Sequence, residues 1–200
     1  MEMNAEMVTA VALGIGLAAS AGFRVFVPML VASIAAHVGV LPVQDGFGWL
    51  AGWPAIICFA TATVIEVAAY YIPVVDTLLD TITTPLAVGA GTLLMTSILP
   101  IDNGMLKWLT GFIVGGGMAA TVQSGTVLTR LMSTAHTAGA ANPAVVTGEN
   151  AAAVGGSVLT TVLPVLAAAA FLVLAFILLV VYRKKIFCRK ACAGGEPRRE

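Results

Sequence analysis

Five long stretches of the chain are built almost wholly from apolar residues, with short polar segments between them. They cover residues 7–41, 53–72, 85–101, 108–141 and 151–182. A helix needs about 20 residues to cross roughly 30 Å of hydrocarbon, so the second and third stretches fit one span each. The other three are longer than a simple straight span. The pattern predicts an all-α, polytopic helical membrane bundle with about five spans, in a range of roughly four to seven.

Polar residues interrupt the first and fourth regions in mid-run. Residues 20–28 are SAGFRVFVP, and residues 121–130 are TVQSGTVLTR. Irregular backbone at membrane depth survives only where protein buries it or a water-filled cavity receives it. We therefore expect broken helices, or a helix plus a re-entrant piece, in the first and fourth regions. The fifth region predicts one helix with an extended approach through the small residues 151–157.

The composition supports a membrane location independently of the spacing. Hydrophobic residues make up 59% of the chain, charged residues only 10%, and the mean hydropathy is +0.99. A soluble domain carries about 25% charged residues. The excess of apolar surface indicates that the lipid bilayer is the main partner of this chain.

Seven of the ten basic residues lie in the last eighteen positions. Cytoplasmic segments of membrane proteins are enriched in Lys and Arg, so we expect a single transmembrane domain over 1–182 and a basic cytoplasmic tail over 183–200. We then expect a multi-pass membrane protein whose C-terminus is cytoplasmic. The tail also suits contact with anionic lipid, and Cys188 and Cys192 within it are either unmodified or palmitoylated. The few basic residues elsewhere give no reason to expect a nucleic-acid partner.

The charges of the loops suggest an orientation. With five crossings and the tail inside, the N-terminus is outside, 44–48 and 102–107 are inside, and 76–84 and 142–150 are outside. The last two segments contain no Lys or Arg, whereas Lys107 falls inside. The acidic start MEMNAE lacks the basic region of a signal peptide, so we expect the first region to be retained.

Two glycine-containing motifs bear on helix arrangement. The sequence GLAAS at 16–20 recurs as GMAAT at 117–121, which suggests repeats over 7–72 and 108–182. In the five-span topology these repeats enter from opposite sides, as in many transporters, although Ala/Gly-rich chains also match themselves by chance. Gly111 and Gly115 form a small-xxx-small face that predicts close helix packing. If the protein transports, its small size favours a homodimer, and exposed Gly/Ala faces of this kind suit one.

Three charged residues inside apolar regions are the first candidates for a functional site. Glu66 lies in the second region, Arg24 in the first and Arg130 in the fourth. A charge in hydrocarbon costs about 2.5–3.5 kcal/mol on insertion scales, so it requires a partner or a cavity. The simplest structural alternative is a salt bridge between Arg24 and Glu66. The functional alternative is a proton, cation or anion site whose further polar lining is Ser20, Gln123 and Ser124.

Asp76, Asp80 and Glu149 are secondary candidates in acidic loops. Asp76 and Asp80 are four residues apart, so they share one face of a short helix. A Ca²⁺ or Mg²⁺ cage needs about six oxygen ligands, so a solvated loop face is the preferred interpretation. His37 and His136 stand alone, and we predict neither a bound metal nor another cofactor.

The sequence contains no GxSxG, HExxH or P-loop motif. No nucleophile, base and orienting group can be placed at a shared depth either. We therefore expect that the protein is not an enzyme.

Three stretches carry a resemblance to a known family. They are Ala18–Pro28 (AASAGFRVFVP), Glu66 followed by IPVVD at 72–76 with Asp80, and TAGAANP at 137–143 followed by Glu149. Together they resemble the bacterial integral-membrane family known as domain of unknown function 4126. The resemblance implies an acid in the second helix and a later Asn-Pro loop that ends in an acid, and it implies no activity. The chain departs from that pattern at Tyr70 and Tyr71, where a charged pair is expected, and in its longer basic tail.

Two classes of function fit these observations. The first is a small transporter or channel for a solute or ion, with Arg24, Glu66 and Arg130 at a central polar site. The second is a non-transporting accessory or scaffolding protein, in which the same charges form internal salt bridges. A water-accessible pocket lined by the three residues favours transport, whereas direct pairing in a closed core favours the accessory class.

Overall fold

The described part of the chain is helical throughout. The computed structural model describes the backbone of residues 2–137 and 140–193, and the side chains of 5–72, 79–137 and 140–180. Within these residues there is no strand, and the helices are α1 (Glu2–Ala21), α2 (Phe26–His37), α3 (Trp53–Ala69), α4 (Pro73–Ile98), α5 (Gly104–Thr110), α6 (Gly117–Thr137), α7 (Asn142–Val162) and α8 (Pro164–Ala193). A 3₁₀ turn over Gly48–Ala51 precedes α3, and a π-helical segment over Gly111–Gly116 joins α5 to α6. Since α5, the π segment and α6 run without interruption, the described residues form seven continuous helices.

Close contacts between glycines show that α4 and the helix over 104–137 are antiparallel. Gly91 of α4 lies against Gly115, and Thr96 lies against Gly111. From the first contact pair to the second, the residue number rises in α4 and falls in the other helix, as it must when two helices are antiparallel. The glycines bring the backbones together as the small-xxx-small face predicted, so that prediction is confirmed.

The central helix α1 runs in the same direction as α6. Gly14 contacts Met95 near the start of the π segment, and Gly22 contacts Ala119 and Val122 of α6. Inverted repeats require corresponding helices to run in opposite directions. The inverted orientation that we predicted for 7–72 and 108–182 is therefore wrong for the first helix of each, while the repeat itself stays a prediction.

The chain reverses direction inside the first and the fifth apolar regions, each of which was expected to cross the membrane once. In the first region, the break at 22–25 separates α1 from α2, and α2 turns back beside α1. In the fifth region, α7 and α8 pack antiparallel about Leu163, because Gly156 contacts Phe171. Pro164 is the first residue of α8, and its missing N–H favours a helix break at this point. Residues 142–157, predicted as a loop and an extended approach, belong to α7.

These reversals change which loops share an end of the bundle. We call the end that holds the turns at 22–25 and 70–72 the C-terminal end, because α8 runs toward it. The N-terminal end holds residues 38–52 and 99–103. Relative to the end toward which α8 runs, the segments 44–48, 76–84, 102–107 and 142–150 each lie at the end of the bundle opposite to the one expected, because the five-region count lacked the two reversals.

The interruption expected within 121–130 is also wrong. The helix α6 is continuous there, and the deviation from α geometry is the π segment ten residues earlier. The polar side chains do not need broken backbone because they bond to carbonyls of their own helix: the hydroxyl of Thr121 donates to Gly117 O and that of Thr126 to Gln123 O. The break expected in the first region is confirmed at 22–25.

Among the residues that the structure describes, two helices are long and apolar enough to cross a membrane, judged by length and composition. They are Leu79–Ile98 and the 34-residue helix Gly104–Thr137. Four shorter apolar helices accompany them, namely Ala5–Ala21, Phe26–His37, Trp53–Ala69 and Pro164–Val180. These helices give a weak indication of a membrane location.

Candidate functional site

Glu66 caps the beginning of another helix. Its carboxylate accepts hydrogen bonds from the backbone N–H groups of Val25 (2.8 Å) and Phe26 (3.0 Å), where α2 starts. The residue preceding α2 offers no side-chain cap of its own. The first N–H groups of a helix lack partners within it and carry partial positive charge, so a carboxylate stabilises them. Glu66 is only 4% exposed, and its role here is to join α3 to the break after α1.

Arg24 pairs with α7 rather than with Glu66. Its Nη1 lies 3.0 Å from Glu149 Oε2 and also donates to Phe23 O, while its Nε donates to Asn150 Oδ1 at 2.6 Å. Arg24 is 1% exposed, and its Nη2 makes no hydrogen bond with any described residue. The salt bridge that we considered between Arg24 and Glu66 is therefore replaced by one with Glu149.

Arg130 completes a cluster of four charges. Its Nη2 lies 2.9 Å from Asp80 Oδ1, and its Nε lies 3.2 Å from Glu149 Oε1. Glu149 thus bridges the two arginines. We call Arg24, Asp80, Arg130 and Glu149 the charge cluster; two arginines and two carboxylates give it a formal charge of zero. It joins the α1–α2 break, α4, α6 and α7 at the C-terminal end of the bundle.

Tyr70 lies between the two guanidinium groups. Its ring centroid is 3.9 Å from the guanidinium carbon of Arg24 and 4.7 Å from that of Arg130. Its hydroxyl is bonded to the hydroxyl of Thr83 at 2.9 Å and donates weakly to Asp80 at 3.4 Å. The aromatic face is attracted to both cations, so Tyr70 holds them in place without adding charge. The pair that departs from the family pattern therefore supplies a member of the site.

The remaining sequence candidates divide between this site and other places. Gln123 belongs to the site, because its Nε2 donates to Thr83 Oγ1 at 3.2 Å. Ser20 is fully buried but donates to Gly16 O of its own helix. Ser124 is half-buried, and the side chain of Asp76 lies outside the described residues.

A cavity of about 340 Å³ opens beside the charge cluster. Its walls come from the α1–α2 break, α6, α7 and α8, and they are mostly apolar. Of the charge cluster, Glu149 lines it, whereas Arg24, Asp80 and Arg130 do not; Glu66, which is outside the cluster, does not line it either. The other lining residues are Phe23, Val122, Gly125, Thr126, Thr129, Val145, Gly148, Leu174 and Leu178.

Sequence reasoning placed Glu149 in an exposed loop, and this was wrong. The carboxylate is 6% exposed and lies two turns inside α7. Asn142-Pro143 is a helix start signal, because proline is favoured in the first turn where its missing N–H costs nothing. That signal predicts a helix that contains Glu149, although it does not predict which residues Glu149 contacts. No comparable signal identifies Tyr70, Thr83 or Asn150.

The family described as Domain of unknown function (DUF4126) matches residues 11–184 of this chain. All members of the charge cluster, together with Glu66 and Tyr70, fall within the matched residues. No curated protein and no solved structure matches the chain. The comparisons therefore supply a family without an activity, and only the geometry bears on what this site does.

Proposed function

The chain belongs to the family of domain of unknown function 4126, and we propose that it is a polytopic protein of a bacterial inner membrane that acts as a non-transporting accessory or scaffolding protein. The accessory or scaffolding role is supported by one observation, the direct pairing of the buried charges of the protein. Arg24 and Arg130 bind Glu149 and Asp80, and Glu66 binds backbone N–H groups. Such pairing in a closed core is what we expect where the charges hold helices together.

The surface of the bundle supports the membrane placement. Large apolar side chains are well exposed on the outer helices: on α3, Ile57 is 61% and Val64 68% exposed, and on α8, Leu166 is 65% and Phe176 68% exposed. Monomeric soluble proteins rarely expose extended apolar patches, whereas lipid solvates them without cost. With this placement, seven helices that alternate in direction replace the five spans expected from the sequence. One of them, α2, is short.

Burial supports a structural role for the charge cluster. Breaking a buried ion pair by removing one partner costs about 3–5 kcal/mol, because the remaining charge stays in a low-dielectric environment. A carrier has to open such pairs during its cycle and therefore requires water or substrate to replace them. The three residues that the sequence suggested for a water-accessible site are each at most 4% exposed; they are Arg24, Glu66 and Arg130.

The test is flux through reconstituted protein. Purified protein in liposomes is assayed for proton, potassium, chloride and small-solute movement against empty vesicles. We expect no flux above the empty vesicles for the wild-type chain. Measurable flux would contradict the accessory function.

Transport is the second candidate, and the cavity beside Glu149 is the observation that favours it. A path through this cavity would be narrowed by Gly148→Leu, because Gly148 lines the cavity and a Cβ at this position meets no atom within 4 Å. Gly155→Leu is a matched control in α7, since Gly155 also faces open space but does not line the cavity. Flux that Gly148→Leu abolishes and Gly155→Leu retains would establish transport through this cavity.

A further inference from the structure

The cavity beside Glu149 has walls that suit an apolar ligand. Among its polar lining residues, Thr126 and Thr129 donate their hydroxyl hydrogens to carbonyls of their own helix. The carboxylate of Glu149 is held by the two arginines, with Oε2 3.0 Å from Arg24 Nη1 and Oε1 3.2 Å from Arg130 Nε. The other lining residues are glycine or hydrocarbon side chains. An apolar ligand therefore takes no partner away from the polar groups of the wall.

The cavity is too large to be a packing defect. Voids in protein interiors are seldom larger than a water molecule, whose share of the liquid volume is about 30 Å³. The cavity measures about 340 Å³. Since an engineered apolar cavity of about 150 Å³ binds benzene, a cavity of this size accommodates roughly twelve carbon atoms. This matches a long segment of one fatty-acyl chain.

The cavity reaches the surface of the bundle toward the C-terminal end. Gly148 of α7 and Thr129 of α6 line it and are exposed. Leu174 and Leu178 of α8 also line it, within the apolar run that ends at Tyr182. With the bundle placed in a membrane, this depth is the hydrocarbon of the leaflet on the C-terminal side. An acyl chain is then the molecule that meets the opening.

The helix that lines the cavity also carries positive charge beyond it. Helix α8 continues to Ala193, and Lys185 and Arg189 follow Leu178 by seven and eleven residues. These intervals are close to two and three turns at 3.6 residues per turn, so both positions share with Leu178 the face of α8 that borders the cavity. Position 185 is about 10 Å further along the helix axis than Leu178, at the depth of a headgroup layer about 5–8 Å thick. A lipid phosphate at that depth is attracted by Lys and Arg.

We propose that the cavity is a binding site for one anionic phospholipid of the leaflet on the C-terminal side, with an acyl chain in the cavity and the phosphate group at Lys185 and Arg189. The proposal rests on the membrane placement proposed above and not on the accessory role. It differs from the general attraction of a basic tail for anionic lipid, because it requires one lipid at one place.

The test is lipid retention by the whole chain, purified in mild detergent and observed by native mass spectrometry. Phosphatidylglycerol is compared with phosphatidylcholine of the same acyl chains, and thermal unfolding is followed as each lipid is added. We expect one phosphatidylglycerol per chain, bound about tenfold more tightly than phosphatidylcholine, and a saturable rise in the unfolding temperature. Equal retention of the two lipids, or retention without a fixed stoichiometry, would overturn the proposal.

Two pairs of substitutions test the headgroup contact at an equal loss of charge. Lys185→Gln with Arg189→Gln removes the charges from the cavity face of α8, and we expect phosphatidylglycerol to bind about tenfold more weakly. Arg183→Gln with Lys190→Gln is the matched control, because these positions lie on the opposite face of the same helix. The control pair should keep the preference for phosphatidylglycerol. Equal weakening by both pairs would show diffuse attraction by the tail and would overturn the proposal.

Gly148→Leu tests the acyl contact without changing a charge. A leucine narrows the cavity, because Gly148 lines it and a Cβ at this position meets no atom within 4 Å. We expect this variant to bind phosphatidylglycerol at least about tenfold more weakly, since fewer methylene groups fit. Gly155→Leu should retain the lipid, because Gly155 also faces open space but does not line the cavity. Unchanged retention in a folded Gly148→Leu variant would overturn the proposal; if that variant does not fold, the two pairs of glutamine substitutions decide.

Extraction of the membrane fraction with alkaline carbonate separates this proposal from the membrane placement on which it rests. Release of the chain by carbonate would contradict the membrane placement and this proposal with it. A chain that stays in the membrane fraction and binds neither lipid selectively would overturn the lipid site alone.

Discussion

At the scale of single residues, the buried charges are distinguished by what each one binds. Glu66 binds backbone N–H groups, whereas Glu149 binds guanidinium groups. The sequence identified Arg24, Glu66 and Arg130 as costly residues that need partners, and each of them has one. It did not identify the partners, because pairing depends on which helices are neighbours and a single apolar pattern does not encode this.

The cap that Glu66 provides predicts a graded loss of stability on substitution. Glu66→Gln keeps one acceptor oxygen for two donors, so we expect it to lower the free energy of unfolding by about 1–3 kcal/mol, and Glu66→Leu by more. Thermal unfolding in detergent measures this loss. Glu6→Gln is the matched control, because Glu6 is exposed on α1 and should change stability little. A Glu66→Gln variant as stable as the control would contradict the capping role.

The neutrality of the charge cluster predicts non-additive substitutions. Arg130→Met removes the arginine that binds Asp80 and leaves Glu149 with Arg24 alone, and we expect a loss of about 3–5 kcal/mol. Asp80→Asn in the same chain restores a net charge of zero, so the double variant should be more stable than Arg130→Met alone. A double-mutant cycle by denaturant unfolding measures the coupling. Additive losses would show that the two side chains do not act as a pair.

At the scale of the elements, the apolar pattern predicted helices well and their ends poorly. The break at 22–25 was found because Ser20 and Arg24 mark it in an apolar run. The α7–α8 reversal was missed because Leu163-Pro164 is flanked by apolar residues on both sides, so hydropathy alone shows one continuous region. Polar residues in α6 were mistaken for a break because their bonds to nearby carbonyls cannot be read from composition.

Because α4 and the π segment are in close contact, the addition of one methyl group between them should lower the stability of the protein. In Gly91→Ala the new Cβ would lie 2.6 Å from Gly115 O and 2.7 Å from Ala119 Cβ, so the helices must separate. We expect a loss of about 1–3 kcal/mol, the range for overpacked cores. Gly89→Ala in the same helix meets no atom within 4 Å and should be neutral or slightly stabilising, because alanine favours helix. Thermal unfolding compares the two; equal midpoints would contradict the close contact.

At the scale of the whole molecule, the alternating helices bring the charge cluster and the start of the basic tail to the same end of the bundle. The sequence-based prediction put 76–84 and 142–150 on the opposite side of the membrane from that tail. It assumed one crossing for each apolar region and missed the two reversals of the chain. Acidic residues contribute little to orientation, so their position beside a basic tail does not conflict with the positive-inside rule. The predicted cytoplasmic tail would then place the charge cluster near the cytoplasmic side, and the homodimer stays a prediction.

This arrangement predicts which positions share a side of the membrane. In single-cysteine chains, Thr147→Cys should react with a membrane-impermeant maleimide from the same side as a chain that keeps Cys192 as its one cysteine. A cysteine at Asp102 should react only from the other side. Labelling of intact and opened cells measures this. Labelling of the cysteines at positions 147 and 102 from the same side of the membrane would contradict the alternating directions of the helices.

The cap on α2 has a consequence for how the protein is made. With 12 residues, α2 is about 18 Å long and cannot cross roughly 30 Å of hydrocarbon by itself. The N–H groups of Val25 and Phe26 at its start find their acceptor in Glu66, which leaves the ribosome some forty residues later. Unsatisfied N–H groups in lipid are costly, so α2 is expected to stay outside the hydrocarbon until α3 emerges, and the two then enter together. Biogenesis of this protein is thus expected to proceed by helix pairs, with Glu66 setting the moment at which the first reversal of the chain becomes stable in the bilayer.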